Sequence, residues 1–550
     1  MTVPGRVADA WPWRGLLLAA LVAGAFLRLA QIGSQMLLDD EWHAVRMLLG
    51  ADYATIATHF GLADHSIPLT LAYRWLYLHD ALDEWSMHLP LLLCGLALLI
   101  AAPRLMPELP LPTRALWCGL LAVSPALVYF SRTARPYAWL ALAGVLAFVA
   151  FRRWQAGTRH RRGWAVLYVV ATALAGWAHV LALPFLLWPF VHYGARAVLL
   201  ARDPARRAPA LRGLAMLCGP GLVLLVVLAA LLLPPLLADW GAMSAKAGSG
   251  MPDAASLQRT VLMQFGLAVP WLLVPLLSLS AWGAWRLWQR DRDLVLLVLG
   301  ASCAGAVVIL LLRPAWIQHA PVLVRYAAPV LPWLLLFPAE GIAAMAGRLS
   351  RHGTLAAPIA ALALAGLVLA GPLPRWYRVP NQFMGHAAFQ FDYDQSTNPY
   401  WTGLDLGPVS PFFEELAGRP AGSVTLVETP ARAVSNYVPD PWLQAIHRQN
   451  VRFALASPVC GEGGWDEYLP GTHGPHFRRM LSLADILDGR EQGGDYLVLR
   501  RRPWTLPREN FPWPTPWPDI EACAATIGKH LGPAVWQDAE ILVFRIPPRA

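Results

Sequence analysis

Charge is what this sequence has least of. Only 14% of its 550 residues are Asp, Glu, Lys or Arg, against about a quarter in an ordinary soluble protein, while 56% are hydrophobic. Mean hydropathy is +0.43. A chain of this balance is not a standard water-soluble globule, and a membrane is the solvent that suits it. Lysine is almost missing: Lys246 and Lys529 are the only two, so the net charge of +9 is carried by arginine. The arginines fall in short clusters between apolar runs rather than on one basic face, which argues for membrane topology and against a nucleic-acid partner. Cysteine is scarce too, with six residues and neither a Cys-x-x-Cys nor a zinc spacing. Cys94, Cys118, Cys218 and Cys303 sit in apolar segments, where a thiol acts as a small hydrophobe. Cys460 and Cys523 lie in a polar C-terminal part and are free to pair if that part is outside the cytoplasm. There is no tandem repeat and no phosphate-binding glycine motif. No A-x-A-type cleavage site follows the first apolar run, 13–31, which therefore reads as a retained anchor.

What is present is a series of apolar runs. A span needs roughly 20 apolar residues. Eleven candidates meet or approach that: 13–32, 86–103, 114–131, 136–151, 163–179, 181–201, 213–237, 261–285, 294–312, 322–346 and 354–372. Cytoplasmic loops carry the excess of Lys and Arg. With the N-terminus in the cytoplasm, Arg104 and Arg114, Arg152 to Arg162, Arg202 to Arg212, Arg286 to Arg292, and Arg348 with Arg351 all fall on the cytoplasmic side. The long loops 33–85 and 238–260 fall outside, with everything after about residue 373. The stretch 67–79 is apolar but short and has Arg74 in its middle. It reads as an interfacial helix on the outer surface, with Trp75 and Tyr77 as anchors.

From 373 the composition changes to frequent Pro, Gly and charge. Strand-like runs at 423–427, 451–454, 496–499 and 541–545 alternate with helical stretches at 441–448, 476–487 and 520–530. That pattern predicts a small α/β domain. The Pro/Trp-rich stretch 511–519 reads as an extended connector.

The polar residues that invite chemistry lie in the outer loops. Directly after the first span come Asp39, Asp40 and Glu41. Three acids at a membrane boundary are costly unless solvated or used, and a carboxylate there can accept a proton or hold a metal. A solvated loop is the alternative. His59, Asp64 and His65 follow, without the i, i+4 spacing of a helical metal site. A divalent metal is left open, and no other cofactor is indicated. A capped helix start, with Ser66 as N-cap and Pro68 close behind, also explains this stretch. Arg132, Arg135 and Tyr137 sit between two spans with almost no loop. A guanidinium fork suits phosphate, whereas snorkelling to head groups accounts for at least one of the two arginines. Arg313, His319, Arg325 and Tyr326 form a fourth cluster, in which Arg325 lies just inside an apolar segment and needs a partner. His179, Asp239 and Lys246 are external and isolated, so a structural role is expected of each.

These residues resemble the GT-C superfamily of integral-membrane glycosyltransferases, in the branch of aminoarabinose transferases and protein O-mannosyltransferases. Asp40-Glu41 resembles that family's Asp-Glu pair in the first external loop. Asp64, His65, Pro68 and Leu69 resemble the start of its external helix. Glu84-Trp85 with His88-Leu89-Pro90 resembles its E-W-x-x-R-L-P, and Ser124-Pro125 with Ser131, Ala134, Arg135 and Tyr137 resembles S-P-x(5)-S-Q-E-A-R-x-Y. Arg325-Tyr326 with Pro329 and Pro332 resembles R-Y-x-x-P-x-x-P. The chain departs from the pattern where Ile67 replaces a proline, His88 an arginine, Arg132 a glutamine and Thr133 an acid.

The resemblance implies a polytopic α-helical fold with about eleven transmembrane helices and external interfacial helices. It gives a transmembrane domain over 1–372, with its first external loop at 33–85, and an extracytoplasmic α/β domain over 373–550. It implies that a sugar passes from a polyprenyl-phosphate donor to a lipid, glycan or protein acceptor at the outer face of a bacterial inner membrane. Asp40 is then the general base, with Glu41 or Asp39 positioning it. Arg135, Arg325, Tyr326, Tyr137 and His65 hold the donor phosphate. A lipid or glycan transporter, or an inactive envelope-assembly subunit, are the alternatives that the residues leave open.

Overall fold

The computed structural model describes residues 10–548 apart from 31, 33–36, 38–40, 62–64, 158, 319, 351–354, 377–407, 431–442, 444–445, 462–479 and 503–517. The chain forms two units. One contains residues 1–30, 51–71 and 89–372; the other contains 31–50, 72–88 and 373–550.

The first unit is helical. Among the described residues, six helices are long and apolar enough to cross a membrane: Ala10–Leu29 (α1), Glu84–Leu105, Tyr137–Gln155, Val180–Leu200, Arg207–Ala238 and Arg292–Leu312. Twenty residues at 1.5 Å each give the roughly 30 Å of a bilayer core. In chain order the helices after α1 are Trp42–Gly50 (α2), Tyr53–Thr58 (α3), Ile67–Leu78 (α4), Glu84–Leu105 (α5), Leu111–Val123 (α6), Pro125–Ser131 (α7) and Tyr137–Gln155 (α8). Then come Arg161–Ala178 (α9), Leu183–Leu186 (α10), Trp188–Leu200 (α11), Arg207–Ala238 (α12), Trp240–Ala245 (α13) and Ala254–Phe265 (α14). Leu273–Arg290 (α15), Arg292–Leu312 (α16), Ala320–Tyr326 (α17), Leu331–Leu334 (α18), Leu336–Leu349 (α19) and Ala356–Leu369 (α20) complete the helices before residue 373.

Helices occupy all eleven expected runs, but 181–201 is divided between α10 and α11, and three further runs are broken. The run 114–131 bends by 61° between α6 and α7, and 261–285 lies in a pair bent by 69° between α14 and Pro270–Arg290. The run 322–346 is split into α17, α18 and α19. Proline explains the first break, because Pro125 has no N–H to give the carbonyl of Leu121. Arg28 supplies the missing donor: Nη2 bonds Leu121 O at 3.0 Å, Nη1 bonds Ala122 O at 3.1 Å, and Nε reaches Ser131 Oγ at 3.1 Å. A fully buried arginine in a span is thus satisfied by the kink it crosses. At the second break Gly266 ends α14 with φ of 73°, a left-handed conformation that glycine takes without strain.

The long helix α12 buries Leu217, Leu224, Leu228 and Leu232 along one stripe, while Leu222, Leu225 and Leu237 point outward. So large an apolar exterior suits lipid rather than water. Polar contacts tie the helices of the unit together. Arg152 pairs with Asp291, Arg153 with Glu108 at 3.1 Å, and Arg196 with Asp293 at 2.6 Å. The buried Glu340 accepts from Arg286 and Arg290 at 2.9 Å and from Thr113 at 2.6 Å. Asp239 accepts from the backbone N–H of Phe60 (2.5 Å) and Gly61 (3.0 Å), and Ala268 N–H donates to Ala370 O at 3.0 Å.

The second unit contains α2 and an α/β sheet. Helix α4, with twelve residues, is about 18 Å long, too short to cross. After Leu373–Trp376 (α21) and Pro411–Ala417 (α22) come strands Thr425–Thr429 (β1), Asn450–Leu455 (β2) and Met480–Ser482 (β3). Leu483–Leu487 (α23), Tyr496–Arg500 (β4), Ile520–Leu531 (α24), Trp536–Gln537 (β5) and Ile541–Arg545 (β6) follow. The sheet order is β3-β2-β1-β4-β6-β5. Strands β1 to β4 are parallel, and β6 runs antiparallel to β4. Period-two alternation splits the core: Val427, Leu497, Leu499, Leu542 and Phe544 pack on one face, and Leu426, Val498, Ile541 and Val543 join Phe412 and Phe413 on the other. Both faces are buried, as a mostly parallel sheet requires.

One expected helix is corrected. Residues 480–482 of the run 476–487 form β3, paired with Phe453 to Leu455, and Ser482 then caps α23 by accepting from Asp485 N–H. Residues 441, 442, 444 and 445 of the expected helix 441–448 and residues 511–517 of the expected connector lie outside the described residues. Cys460 and Cys523 are joined in a disulfide that closes a 63-residue separation.

Candidate active site

Asp39, Asp40 and Asp64 lie outside the described residues. Glu41 is described and buried, directly before α2. Its Oε1 lies 2.8 Å from His88 Nε2, and both side chains are almost wholly enclosed. Sequence reasoning noted His88 only as a departure from a pattern; the signal that would have found it is a histidine in the first turns of a span, facing an acid-rich loop.

The backbones that carry this pair are fastened by α4. Tyr73 donates its hydroxyl to Met87 O at 2.8 Å, and Arg74 Nη1 donates to Leu48 O at 2.6 Å. Helix α5 starts with reciprocal bonds, Ser86 N–H to Asp83 Oδ1 at 2.7 Å and Asp83 N–H to Ser86 Oγ at 2.8 Å. This is the logic of a capping box. Glu84, in the first turn of α5, acts electrostatically on Arg452 of β2.

In the first unit, four of the expected site residues converge. The Arg325 guanidinium carbon lies 5.9 Å from the ring centre of Tyr137 and 5.8 Å from that of Tyr326. The His179 ring sits 6.1 Å from Tyr137 and 5.6 Å from Tyr326, and both Arg135 and Arg325 act on it electrostatically. His179 therefore belongs to the cluster rather than standing isolated. One cation at the end of α17, Arg325, thus lies over two aromatic faces, and a second from the α7–α8 connection, Arg135, acts on the same histidine.

The backbone break behind Arg325 and Tyr326 is held closely. Trp333 Nε1 donates to Gly144 O at 3.1 Å, and Trp117 Nε1 donates to Pro332 O at 2.7 Å. A Cβ on Gly144 would lie 1.9 Å from Pro329 O, so only glycine lets α8 approach this turn.

Two expected roles change. Arg132 is buried and donates to Leu27 O at 3.0 Å and Ala30 O at 2.6 Å. It caps the C-terminus of α1. Ser66 precedes α4, but its buried hydroxyl makes no hydrogen bond among the described residues; its carbonyl accepts from Thr70 N–H at 2.9 Å. His65 has Nδ1 3.0 Å from Thr70 Oγ1 and Nε2 3.1 Å from His59 O, bonds that account for its burial without a ligand. Asp239 fastens a loop, as expected of it. His319 lies outside the described residues. Among the described residues no three His, Cys, Asp or Glu side chains converge as metal ligands.

The chain is thus a polytopic helical membrane protein with a small α/β sheet unit, carrying a cationic-aromatic cluster in one unit and a buried acid-histidine pair in the other. No family model and no curated protein matches it. Among solved structures it is similar to ArnT from Cupriavidus metallidurans in the apo state, over 97% of this chain and 98% of that one, with a TM-score of 0.47 and 13% identity. The same enzyme bound to undecaprenyl phosphate aligns over 97% of each chain, with a TM-score of 0.45 and 12% identity. The Archaeoglobus fulgidus oligosaccharyltransferase in the apo form aligns over 89% of this chain and 70% of that one, with a TM-score of 0.39 and 12% identity.

Proposed function

We propose that the chain is a membrane glycosyltransferase that moves a sugar from a polyprenyl-phosphate donor to an envelope acceptor, a lipid, glycan or protein, at the outer face of a bacterial inner membrane. The N-terminus is cytoplasmic, residues 1–372 form the membrane domain, and 373–550 form a periplasmic domain. The observation that carries this is the convergence of Arg325, Tyr326, Tyr137 and Arg135 around His179, from parts of the chain far apart in sequence. Nucleotide sugars are cytoplasmic, so an outer site needs a lipid-borne donor whose phosphate leaves as an anion. Arg135 and Arg325 stabilise that developing charge. Asp40 takes the proton of the acceptor hydroxyl as its oxygen bonds the anomeric carbon, and the bond to the phosphate breaks; Glu41 or Asp39 holds Asp40 in place.

The test compares lipid and envelope glycan extracts by mass spectrometry from a deletion strain carrying the wild type, Asp40→Asn or Arg325→Ala. A sugar mass lost on deletion, restored by the wild type and not by Asp40→Asn, is expected. Full restoration by Asp40→Asn removes Asp40 as base, and identical extracts with and without the gene remove the transferase.

A further inference from the structure

We propose that His88 is a positioning residue that clamps Glu41; the role rests on the reading of Asp39, Asp40 and Glu41 as catalytic. A carboxylate can only accept, so in the 2.8 Å contact Nε2 of His88 is the donor. The ring is fully buried and the Glu41 side chain is 4% exposed, so the bond is made in a dry site where water does not compete. Neither partner floats. His88 stands one turn into α5, whose start is locked by the Asp83/Ser86 bonds and by Tyr73 on Met87 O. Glu41 leads into α2, which Arg74 holds at Leu48 O. Adjacent residues Tyr73 and Arg74 of α4 thus fix the two sides of the pair separately. Glu41 directly follows Asp40, the proposed base, in the sequence.

The experiment uses the purified full chain in nanodiscs, with His88→Leu, His88→Gln, His88→Arg and Asp40→Asn. Two readouts are taken: transfer kinetics, and the rate at which a water-soluble carbodiimide labels Glu41, followed by peptide mass spectrometry. His88→Leu is expected to lower kcat about tenfold or more with donor KM within about twofold, since misplacement of a positioned group acts on the reacting geometry. Glu41 should label faster in that variant. His88→Gln and His88→Arg, which keep a donor, should recover most of both signals, and they carry the test if His88→Leu does not fold. Wild-type kcat and wild-type labelling in His88→Leu overturn the proposal, as does failure of both donor-bearing variants to recover either signal. Faster labelling in His88→Leu, with transfer unchanged there and in Asp40→Asn, leaves the clamp standing and removes the acidic loop as the catalytic centre.

Discussion

Replacing Gly144 by alanine tests how the cationic-aromatic cluster is held. The added methyl carbon would lie 1.9 Å from Pro329 O, 2.7 Å from its carbonyl carbon and 3.0 Å from its Cα. Ordinary contact begins near 3.4 Å, so the backbone at Pro329 must retreat by about 1.5 Å or α8 must move the other way. Backbone, unlike a side-chain tip, cannot swing aside, and Trp333 is tied to Gly144 O by its own indole N–H. Overpacking of this kind costs about 1–3 kcal/mol. Tyr326 lies three residues before Pro329, so the same shift reaches Arg325 and Tyr326. A displacement near 1 Å at a positioning group lowers a rate by up to about 100-fold. The assay pairs the thermal midpoint in detergent with transfer kinetics across donor concentration: a lower midpoint and a several-fold rise in donor KM are expected. Wild-type values for both would refute the close approach and the link from that turn to the site.

Three further outcomes are expected. Arg28→Met strips donors from Leu121 O and Ala122 O at the α6 kink and should destabilise the chain by about 3–5 kcal/mol, with Ser131→Ala costing much less, both read from thermal midpoints. Replacing Cys460 and Cys523 with serine releases a 63-residue loop and should cost the sheet unit about 4 kcal/mol, measured as faster hydrogen exchange in β1 and β4; unchanged exchange would show that the bridge does not constrain the unit. Burial pushes His447 down to about 4 from an ordinary 6.5, so between those values the unfolded chain binds the extra proton. Stability of the sheet unit is therefore full above about pH 6.5 and falls by about 3 kcal/mol as the pH drops towards 4, a slope that His447→Gln should flatten in exchange measurements.

The cost of putting charge and bare backbone into lipid made much of the molecule legible from the residues. Runs such as 213–237 and 294–312 had to be helices, because only a helix satisfies its own backbone across a bilayer, and α12 and α16 occupy them. The α/β alternation after 373 was equally readable, since β1, β4 and β6 are short apolar runs buried on both faces, set between helical stretches. The breaks were less so: Pro125 marks a lost hydrogen bond, but whether a helix ends or bends there depends on what replaces it, and the replacement was Arg28 from another helix.

For the site, the sequence by itself determined which residue types stand where: acids after the first span, Arg135 and Tyr137 between two spans, Arg325-Tyr326 ahead of two prolines. Local spacing carries that information, because neighbours in sequence share a loop or a helix turn. Only the tertiary structure decided which of two nearby arginines caps a helix and which faces the cluster. It took Arg132 to the carbonyls of Leu27 and Ala30 and left Arg135 beside His179. It also drew His179 between Tyr137 and Tyr326 and set His88 on Glu41. Those partners lie dozens to nearly two hundred residues apart, and a contact of that range is fixed by how helices pack, a property that no single segment of the chain contains.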